Sequence, residues 1–389
     1  MTSRTLKTRL LHSETSVPQG FRSLATPVYR GSTTLFENAA DIQDTWNHDD
    51  APYTYGSYGT PTTLELAARL VELEGARRCF ITPGGQAALV LVYFACLSAG
   101  NHVLVPTTVY GPSRVFADRV LRRLGIEVEY YEPLEGEALA SRIRPQTRLV
   151  WCESPGSITM EIQDVPAIAA AAHARGVSVA LDNTWAAGVL FTPFEHGVDI
   201  SMQALTKYVG GHSDLLLGSV TVRDENLYQR LGVTLQDLGM SVSPDDCSLA
   251  LRGLQTLSVR MQAVEASALR VASWLAERAE IETVLHPALP SCPGHETWKR
   301  DFTGSSGLFS VVFREPAPLR ELQRAMDRLT LFRMGYSWGG VSSLVVIPDT
   351  AEAPNARRFG DRLVRFYVGL EDADDLIADL QQAFRFRLP

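Results

Sequence analysis

The feature that most constrains the fold is a regular alternation of short apolar runs with helical patterns between residues 78 and 222. Such an alternation is typical of a parallel sheet that is covered by helices on both faces. The strands are predicted at 79–82, 103–106, 126–131, 147–152, 177–181, 199–203 and 218–222. The helices between them are predicted at 86–98, 113–124, 137–143 and 165–175. The pattern therefore indicates an α/β fold.

The rest of the chain predicts one region before this sheet and one after it. We expect an N-terminal arm over residues 1–60, an α/β domain over 61–250 and a smaller α+β domain over 251–389. A helix is predicted over 64–73, and a long helical pattern over about 248–280 joins the two domains. In the last domain, strands are predicted at 308–313 and 363–368 and helices at 319–328 and 374–384.

Composition excludes several classes of protein. The chain has 36 Lys and Arg against 44 Asp and Glu, and it has no basic block of the kind that binds nucleic acid. Its five cysteines are scattered without a CxxC pair, which favours free thiols and argues against a metal site. The most apolar run, at 87–97, is shorter than the roughly twenty residues that span a membrane. Residues 1–11 lack the apolar core of a secretory signal, so we expect a cytoplasmic protein.

Lys207 is the first candidate for chemistry. It is one of only three lysines in the chain, and it follows the apolar run predicted as a strand at 199–203. A lysine in a partly desolvated pocket has its ammonium form disfavoured, and the neutral amine can then attack a carbonyl group to form a Schiff base. The alternative is a lysine that lies at the end of a strand and reaches water.

Two further candidates follow predicted strands. The segment TPGGQAA, at 82–88, lies where a strand ends and an apolar helix begins, so the backbone amides of Gly85 and Gln86 are placed to bind a phosphate. A tight turn without a ligand is the alternative. Asp182 closes another strand at the edge where open α/β sheets place their sites, and it could hold a protonated ring nitrogen or cap a turn.

An aromatic side chain and an arginine complete the set of candidates. Tyr110, in PTTVYGPS, follows a strand and could stack on a planar cofactor. Arg365 lies on one face of the strand LVRFYV and could clamp a carboxylate, or could form a salt bridge with Glu371 or Asp372. A reactive lysine, a phosphate cradle, a ring-nitrogen carboxylate, a stacking aromatic and a carboxylate-binding arginine are what pyridoxal phosphate (PLP) requires of a protein.

The sequence as a whole resembles the Cys/Met-metabolism family of PLP-dependent enzymes, and within it the bacterial cystathionine beta-lyases. The matching blocks are ESPGSITMEIQDVPAI at 153–168, DNTWAAGVLF at 182–191, TKYVGGHSD at 206–214, KRDFTGSSGLFS at 299–310 and YSWGG at 336–340. The resemblance implies an aspartate-aminotransferase-like fold (fold type I) with a mostly parallel seven-stranded sheet. It also implies PLP as cofactor, a small amino-acid substrate and a homotetramer built as a dimer of dimers.

The resemblance assigns site residues in three overlapping groups. The catalytic residues would be Lys207, Tyr110 and Asp182. The cofactor-binding residues would be Lys207, Asp182, Tyr110, Gly85, Gln86, Thr206 and, from a neighbouring subunit, Tyr55. The substrate-binding residues would be Arg365, Ser337, Trp338 and Tyr110, with Trp338 in the form of the motif that is associated with beta-lyases. No metal ligand is implied.

Two positions depart from the family pattern. Ser57 stands where the family usually has an arginine that reaches across to the phosphate, and Ala204 stands where it usually has a serine phosphate ligand. Each change removes a charge-assisted hydrogen bond worth about 1.5–3 kcal/mol. One hypothesis is that Arg30 or Arg114 compensates.

The implied reaction is β-elimination from L-cystathionine, which yields homocysteine, pyruvate and ammonia in transsulfuration and methionine biosynthesis. The alternatives within the family are a gamma-lyase, a gamma-replacement enzyme and a specialised lyase for cysteine S-conjugates. A non-enzymatic assembly or binding module is a third possibility. The GxSxG pattern at 335–339 also fits the nucleophile elbow of serine hydrolases, but that site needs a later histidine and the last histidine here is His295.

Overall fold

The computed structural model describes residues 5–11, 23–349 and 354–385. Its larger sheet consists of strands β1 Arg78–Thr82, β2 His102–Pro106, β3 Glu127–Tyr131, β4 Thr147–Glu153, β5 Ser178–Asp182, β6 Ile200–Gln203 and β7 Gly218–Val222. The strand order is β1-β7-β6-β5-β4-β2-β3, and β7 runs antiparallel to both of its neighbours while the other pairs are parallel. The predicted mostly parallel seven-stranded sheet is therefore confirmed, and each strand begins and ends within one residue of its predicted bounds.

Helices cover both faces of this sheet. The α-helices of this part of the chain are α1 Leu6–Leu11, which packs on α2 and α7, and α2 Pro61–Glu74, α3 Gly85–Cys96, α4 Gly111–Phe116, α5 Val165–His173, α6 Glu225–Asp237 and α7 Pro244–Ala276. On one face Leu89 of α3 and Leu231 of α6 belong to the same buried cluster as the strand residue Val103. On the other face Leu70 of α2 and Leu254 of α7 share a buried cluster with further strand residues. Because both faces are buried, the strands read as continuous apolar runs.

Two predicted helices differ in type from what the structure contains. The helix predicted at 113–124 is α-helical only over Gly111–Phe116, and it continues as a π turn over Ala117–Leu121 and a 3₁₀ turn over Arg122–Leu124. The helix predicted at 137–143 is a 3₁₀ helix, Gly136–Arg142. Apolar spacing predicts that a segment is helical, but it does not distinguish the hydrogen-bonding register.

The smaller sheet follows α7. Its strands are β8 Ile281–Leu285, β9 Leu308–Phe313, β10 Arg333–Met334, β11 Leu344–Val346 and β12 Leu363–Tyr367, in the order β10-β11-β12-β9-β8. Helices α8 His295–Asp301, α9 Leu319–Met326 and α10 Ala373–Phe384 accompany it. The sequence predicted β9, β12, α9 and α10, but it missed α6, α8 and the strands β8, β10 and β11. The domain boundaries at residues 60 and 250 stay predictions.

Helix α7 connects the two sheets. It begins at Pro244, where the Ser243 hydroxyl accepts the backbone N–H of Asp245 at 3.2 Å, and it runs for 33 residues. Its Leu257 packs in the core of the larger sheet and its Val271 in the core of the smaller one. The two sheets therefore share one rigid element, and a cavity lies where β12 faces the carboxyl ends of the large sheet.

Candidate active site

A cavity of about 370 Å³ lies at the carboxyl ends of the parallel strands. The predicted residues that line it are Gly85, Gln86, Tyr110, Asp182, Thr206, Lys207, Trp338 and Arg365. Ser337 lies beside them, because the Lys207 Nζ donates a hydrogen bond to its Oγ. The fold thus brings nine of the predicted site residues together, although they lie as far apart in the sequence as the first turn of α3 and strand β12.

Lys207 lies half-buried in this cavity after strand β6. Its backbone N–H donates to the carbonyl of Ala204 at 3.0 Å, and its Nζ lies 5.3 Å from the centroid of the Trp338 ring. Burial, and secondly the charge of Arg365, lower the pKa of Lys207 from 10.5 to about 8, while the nearby Asp182 offsets part of this shift. A substantial fraction of the amine is therefore neutral near pH 8.

Asp182 closes β5 and is held by the residue two positions later. Its carboxylate accepts the backbone N–H of Thr184 at 3.0 Å and also the Thr184 hydroxyl. Burial raises the pKa of Asp182, and the two hydrogen bonds from Thr184 and the charge of Lys207 act in the opposite direction. These hydrogen bonds fix the orientation of the carboxylate. They also mean that Asp182 caps a turn, which was the alternative interpretation of this residue.

The turn from β1 into α3 leaves room for an anion. Gly84 has φ of +149°, which a residue with a side chain rarely adopts. No side-chain hydrogen bond caps the first turn of α3. A Cβ on Gly85 would lie 2.6 Å from the Cβ of Ala204, so glycine is required at that position. The hydroxyl of Thr206 is engaged with the backbone N–H and carbonyl of Leu217, at 3.1 Å each.

The backbone beside Lys207 has positive φ angles at Ser337 and Gly339. Ser337 has φ of +82° and Gly339 has φ of +90°. A Cβ on Gly339 would lie 2.8 Å from the carbonyl carbon of Lys207. A positive φ at a residue with a side chain, such as Ser337, costs free energy and often occurs at functional sites. The close approach explains how residues separated by 130 positions, Lys207 and Ser337, come within hydrogen-bonding distance.

Arg365 carries a half-buried charge that has no ion-pair partner in the part of the chain that the structure describes. The two carboxylates proposed as salt-bridge partners are used elsewhere. Glu371 accepts hydrogen bonds from Ser343, and Asp372 accepts the N–H of Asp374 at the start of α10. The salt-bridge alternative is therefore wrong. Burial lowers the pKa of Arg365, and an unpaired guanidinium beside a cavity favours an anionic ligand.

The two candidate tyrosines differ in position. Tyr110 lines the cavity, is 43% exposed and donates its backbone N–H to the Glu153 carboxyl at 2.7 Å. Tyr55 is 47% exposed, forms an isolated bridge with Thr33 and is not among the residues that line the cavity of its own chain. A contribution of Tyr55 to a neighbouring subunit's site stays a prediction.

The two arginines proposed to compensate for Ser57 and Ala204 do not line this cavity. Arg30 forms a salt bridge with Asp245. Arg114 lies over the ring of Tyr130, 3.8 Å from its centroid, and donates to a backbone carbonyl. The hypothesis therefore finds no support within a single chain.

Sequence reasoning missed several residues of the cavity. Glu153 ends β4 in the same way that Asp182 ends β5, so the rule that found one could have found the other. Ile158 and Met160 line the cavity with φ of +71° and +58°, and no sequence signal indicates such backbone angles for these residue types. In the described residues no cluster of His, Cys, Asp and Glu could hold a metal ion, and no helix is long and apolar enough to cross a membrane.

The comparisons with known proteins assign the chain to a family. The family model described as Cys/Met metabolism PLP-dependent enzyme matches residues 7–385. The chain belongs to this family. It is 43% identical to a putative cystathionine beta-lyase of Rhizobium johnstonii, over 97% of this chain and 96% of that protein. It is also 40% identical to the cystathionine beta-lyase MetC of Escherichia coli, over 99% of both chains.

A solved structure supports the fold assignment. The crystal structure of metB from Corynebacterium glutamicum matches with a TM-score of 0.91 and 29% identity, over 98% of both chains. The aspartate-aminotransferase-like fold and the PLP dependence expected from the sequence are therefore confirmed.

The residues present in the cavity fit PLP. An amine with a depressed pKa, at Lys207, is available to the aldehyde of the cofactor. The uncapped first turn of α3, next to the close contact between Gly85 and Ala204, offers backbone N–H groups to a phosphate. The buried carboxyl of Asp182 lies in the same cavity and can pair with a protonated ring nitrogen.

Proposed function

We propose that this protein is a PLP-dependent carbon–sulfur β-lyase that cleaves L-cystathionine to homocysteine, pyruvate and ammonia. The observation that carries the proposal is that one cavity holds both an amine with a pKa of about 8 and a half-buried guanidinium that lacks an ion-pair partner among the described residues. The first suits a proton acceptor and the second suits the carboxylate of an amino acid. The beta-lyase relatives named above support the substrate.

Six residues of this chain would hold the cofactor. Lys207 would bind its aldehyde, Asp182 its ring nitrogen and Tyr110 its ring face, while Gly85, Gln86 and Thr206 would bind its phosphate. The cofactor supplies the electron sink that makes the α-carbon of an amino acid acidic. Asp182 would keep the ring nitrogen protonated, which requires that the carboxyl itself stays ionised, and the hydrogen bonds from Thr184 favour that form.

Lys207 is the proposed base. Once the substrate amine has displaced it from the aldehyde, the Lys207 Nζ would be a free amine with a pKa of about 8, and its neutral form would accept the α-proton. A pKa in this range would also let the resulting ammonium ion release the proton again. The Ser337 hydroxyl, which accepts a hydrogen bond from Nζ, limits the positions that the amine can take. Loss of the α-proton would let the β-thiolate leave and take up a proton as homocysteine, and water would hydrolyse the remaining three-carbon enamine to pyruvate and ammonia.

Arg365 and Trp338 would position the substrate. Arg365 pairs with the α-carboxylate, because its planar guanidinium can donate two parallel hydrogen bonds to one carboxylate. Trp338, whose ring lies beside the Lys207 Nζ, restricts how the rest of the substrate enters the cavity. Burial of Arg365 makes its charge more effective than it would be in water.

The test is to identify the products that the PLP-loaded protein forms from L-cystathionine. We expect pyruvate and homocysteine. Formation of 2-oxobutyrate and cysteine instead would refute the β-lyase and favour a gamma-lyase, the main alternative within the family. The Lys207→Ala variant should lose both turnover and the absorbance band of the lysine-bound cofactor.

We further propose that the active protein is a cytoplasmic homotetramer in which Tyr55 completes the site of a neighbouring subunit. Its exposure, and its absence from the cavity of its own chain, support this arrangement. Mixed oligomers of a Tyr55→Ala subunit and a Lys207→Ala subunit should then regain part of the activity. No regained activity would mean that the arm serves its own subunit.

A further inference from the structure

Glu153 is a buried carboxyl that the proposed mechanism does not use. It is the last residue of β4, it lines the cavity and it is only 8% exposed. It also begins the block ESPGSITMEIQDVPAI, to which no role has so far been assigned. A glutamate that is buried at this depth is rare unless it is paired or neutral.

The structure places Glu153 next to Asp182. The two residues are partners in the register of the parallel strands β4 and β5, and both line the same cavity. Backbone N–H groups surround the Glu153 carboxyl: that of Tyr110 donates to Oε2 at 2.7 Å, and that of Ser157 also points to it. Glu153 therefore connects the end of one strand with the loop that carries the aromatic ring of the site.

Two neighbouring buried carboxyls cannot both ionise without a large electrostatic cost. Of the two carboxyls, Asp182 is the one more favoured to stay ionised, because both the N–H and the hydroxyl of Thr184 donate to it and Lys207 lies nearby. Burial, and secondly Asp182, raise the pKa of Glu153 well above its ordinary value, although the backbone N–H groups of Tyr110 and Ser157 act in the opposite direction. The other titratable groups that affect this position are the phenols of Tyr110 and Tyr93.

We propose that Glu153 is a positioning residue that works as a neutral carboxylic acid, holding Tyr110 through its backbone N–H while Asp182 alone carries the negative charge. This inference rests on the proposed function, because Tyr110 is taken to stack on the cofactor. Glu153 itself takes no proton from the substrate.

The test compares Glu153→Gln with Glu153→Ala in the PLP-loaded protein. Glutamine keeps a neutral acceptor of similar size, so the pH midpoint of the cofactor absorbance band should stay within about 0.3 units of the wild type. Alanine leaves the Tyr110 N–H without its acceptor, and kcat/KM for L-cystathionine should fall about tenfold. Glu161→Gln is the matched control, because Glu161 is also buried but does not line the cavity.

Two results would overturn the inference. A midpoint lower by about one unit or more in Glu153→Gln would mean that a negative charge had been removed. Wild-type kcat/KM in Glu153→Ala would mean that Glu153 does not position Tyr110. The absorbance titration needs no lyase activity, so it still tests the charge of Glu153 if the wild type fails to form pyruvate. If Glu153→Ala fails to fold, the absorbance midpoint of Glu153→Gln decides alone.

Discussion

Replacing Gly339 by alanine should displace the backbone that carries Lys207. Gly339 is buried and has φ of +90°, and an added Cβ would lie 2.8 Å from the carbonyl carbon of Lys207, 2.8 Å from the nitrogen of Tyr208 and 2.9 Å from the Lys207 Cα. All three neighbours are backbone atoms, which cannot rotate away as a flexible side chain would. Relief of the contact therefore requires one of the two segments to move.

The expected cost has two parts. A left-handed conformation at a residue with a Cβ costs about 1–2 kcal/mol. Overpacking against fixed atoms costs about 1–3 kcal/mol more, so the free energy of unfolding should fall by about 2–5 kcal/mol. Because Lys207 is one of the displaced residues, its link to the cofactor should also change.

A matched control separates the two parts. Gly100 has φ of +84°, but an added Cβ there would meet no atom within 4 Å. Gly100→Ala should therefore lose only about 1–2 kcal/mol and should keep the wild-type cofactor absorbance. Urea denaturation gives the stabilities, and the absorbance band of the lysine-bound cofactor gives the local effect. Equal losses in the two variants, with unchanged absorbance in Gly339→Ala, would refute the steric argument.

Three further predictions concern the charges and the phosphate site. Lys207→Met should raise the unfolding free energy of the cofactor-free protein at pH 7 by about 1–3 kcal/mol. The folded state binds the proton of Lys207 less tightly than the unfolded state does, so the gain in unfolding free energy should shrink as the pH rises from about 8 to 10.5. A gain that stays constant over this pH range would contradict the prediction. Arg365→Leu should lower kcat/KM for L-cystathionine by about 100-fold, mainly through KM, while PLP binding persists. Ala204→Ser should tighten PLP binding about tenfold in an absorbance titration, and an unchanged affinity would place the phosphate elsewhere.

Local patterns in the sequence were enough to predict most of the fold. Each strand of the larger sheet is a short apolar run between turn residues, so a few consecutive residues are enough to predict where it begins and ends. The missed strands β10 and β11 are only two and three residues long, too short for a period to be recognised. The missed α6 has a regular amphipathic pattern and buries Leu227 and Leu231, so the sequence did contain its signal.

The sequence by itself determined which residues could do chemistry, because Asp182 ends one strand and Lys207 follows another, at the edge where parallel sheets place their sites. Only the tertiary structure decided what surrounds them. The strand register sets Glu153 beside Asp182, and the packing of the two sheets brings Ser337 to Lys207 and leaves Arg365 without an ion-pair partner among the described residues. These contacts join positions far apart in the chain, and burial and electrostatic pairing depend on distances in space that no local pattern records.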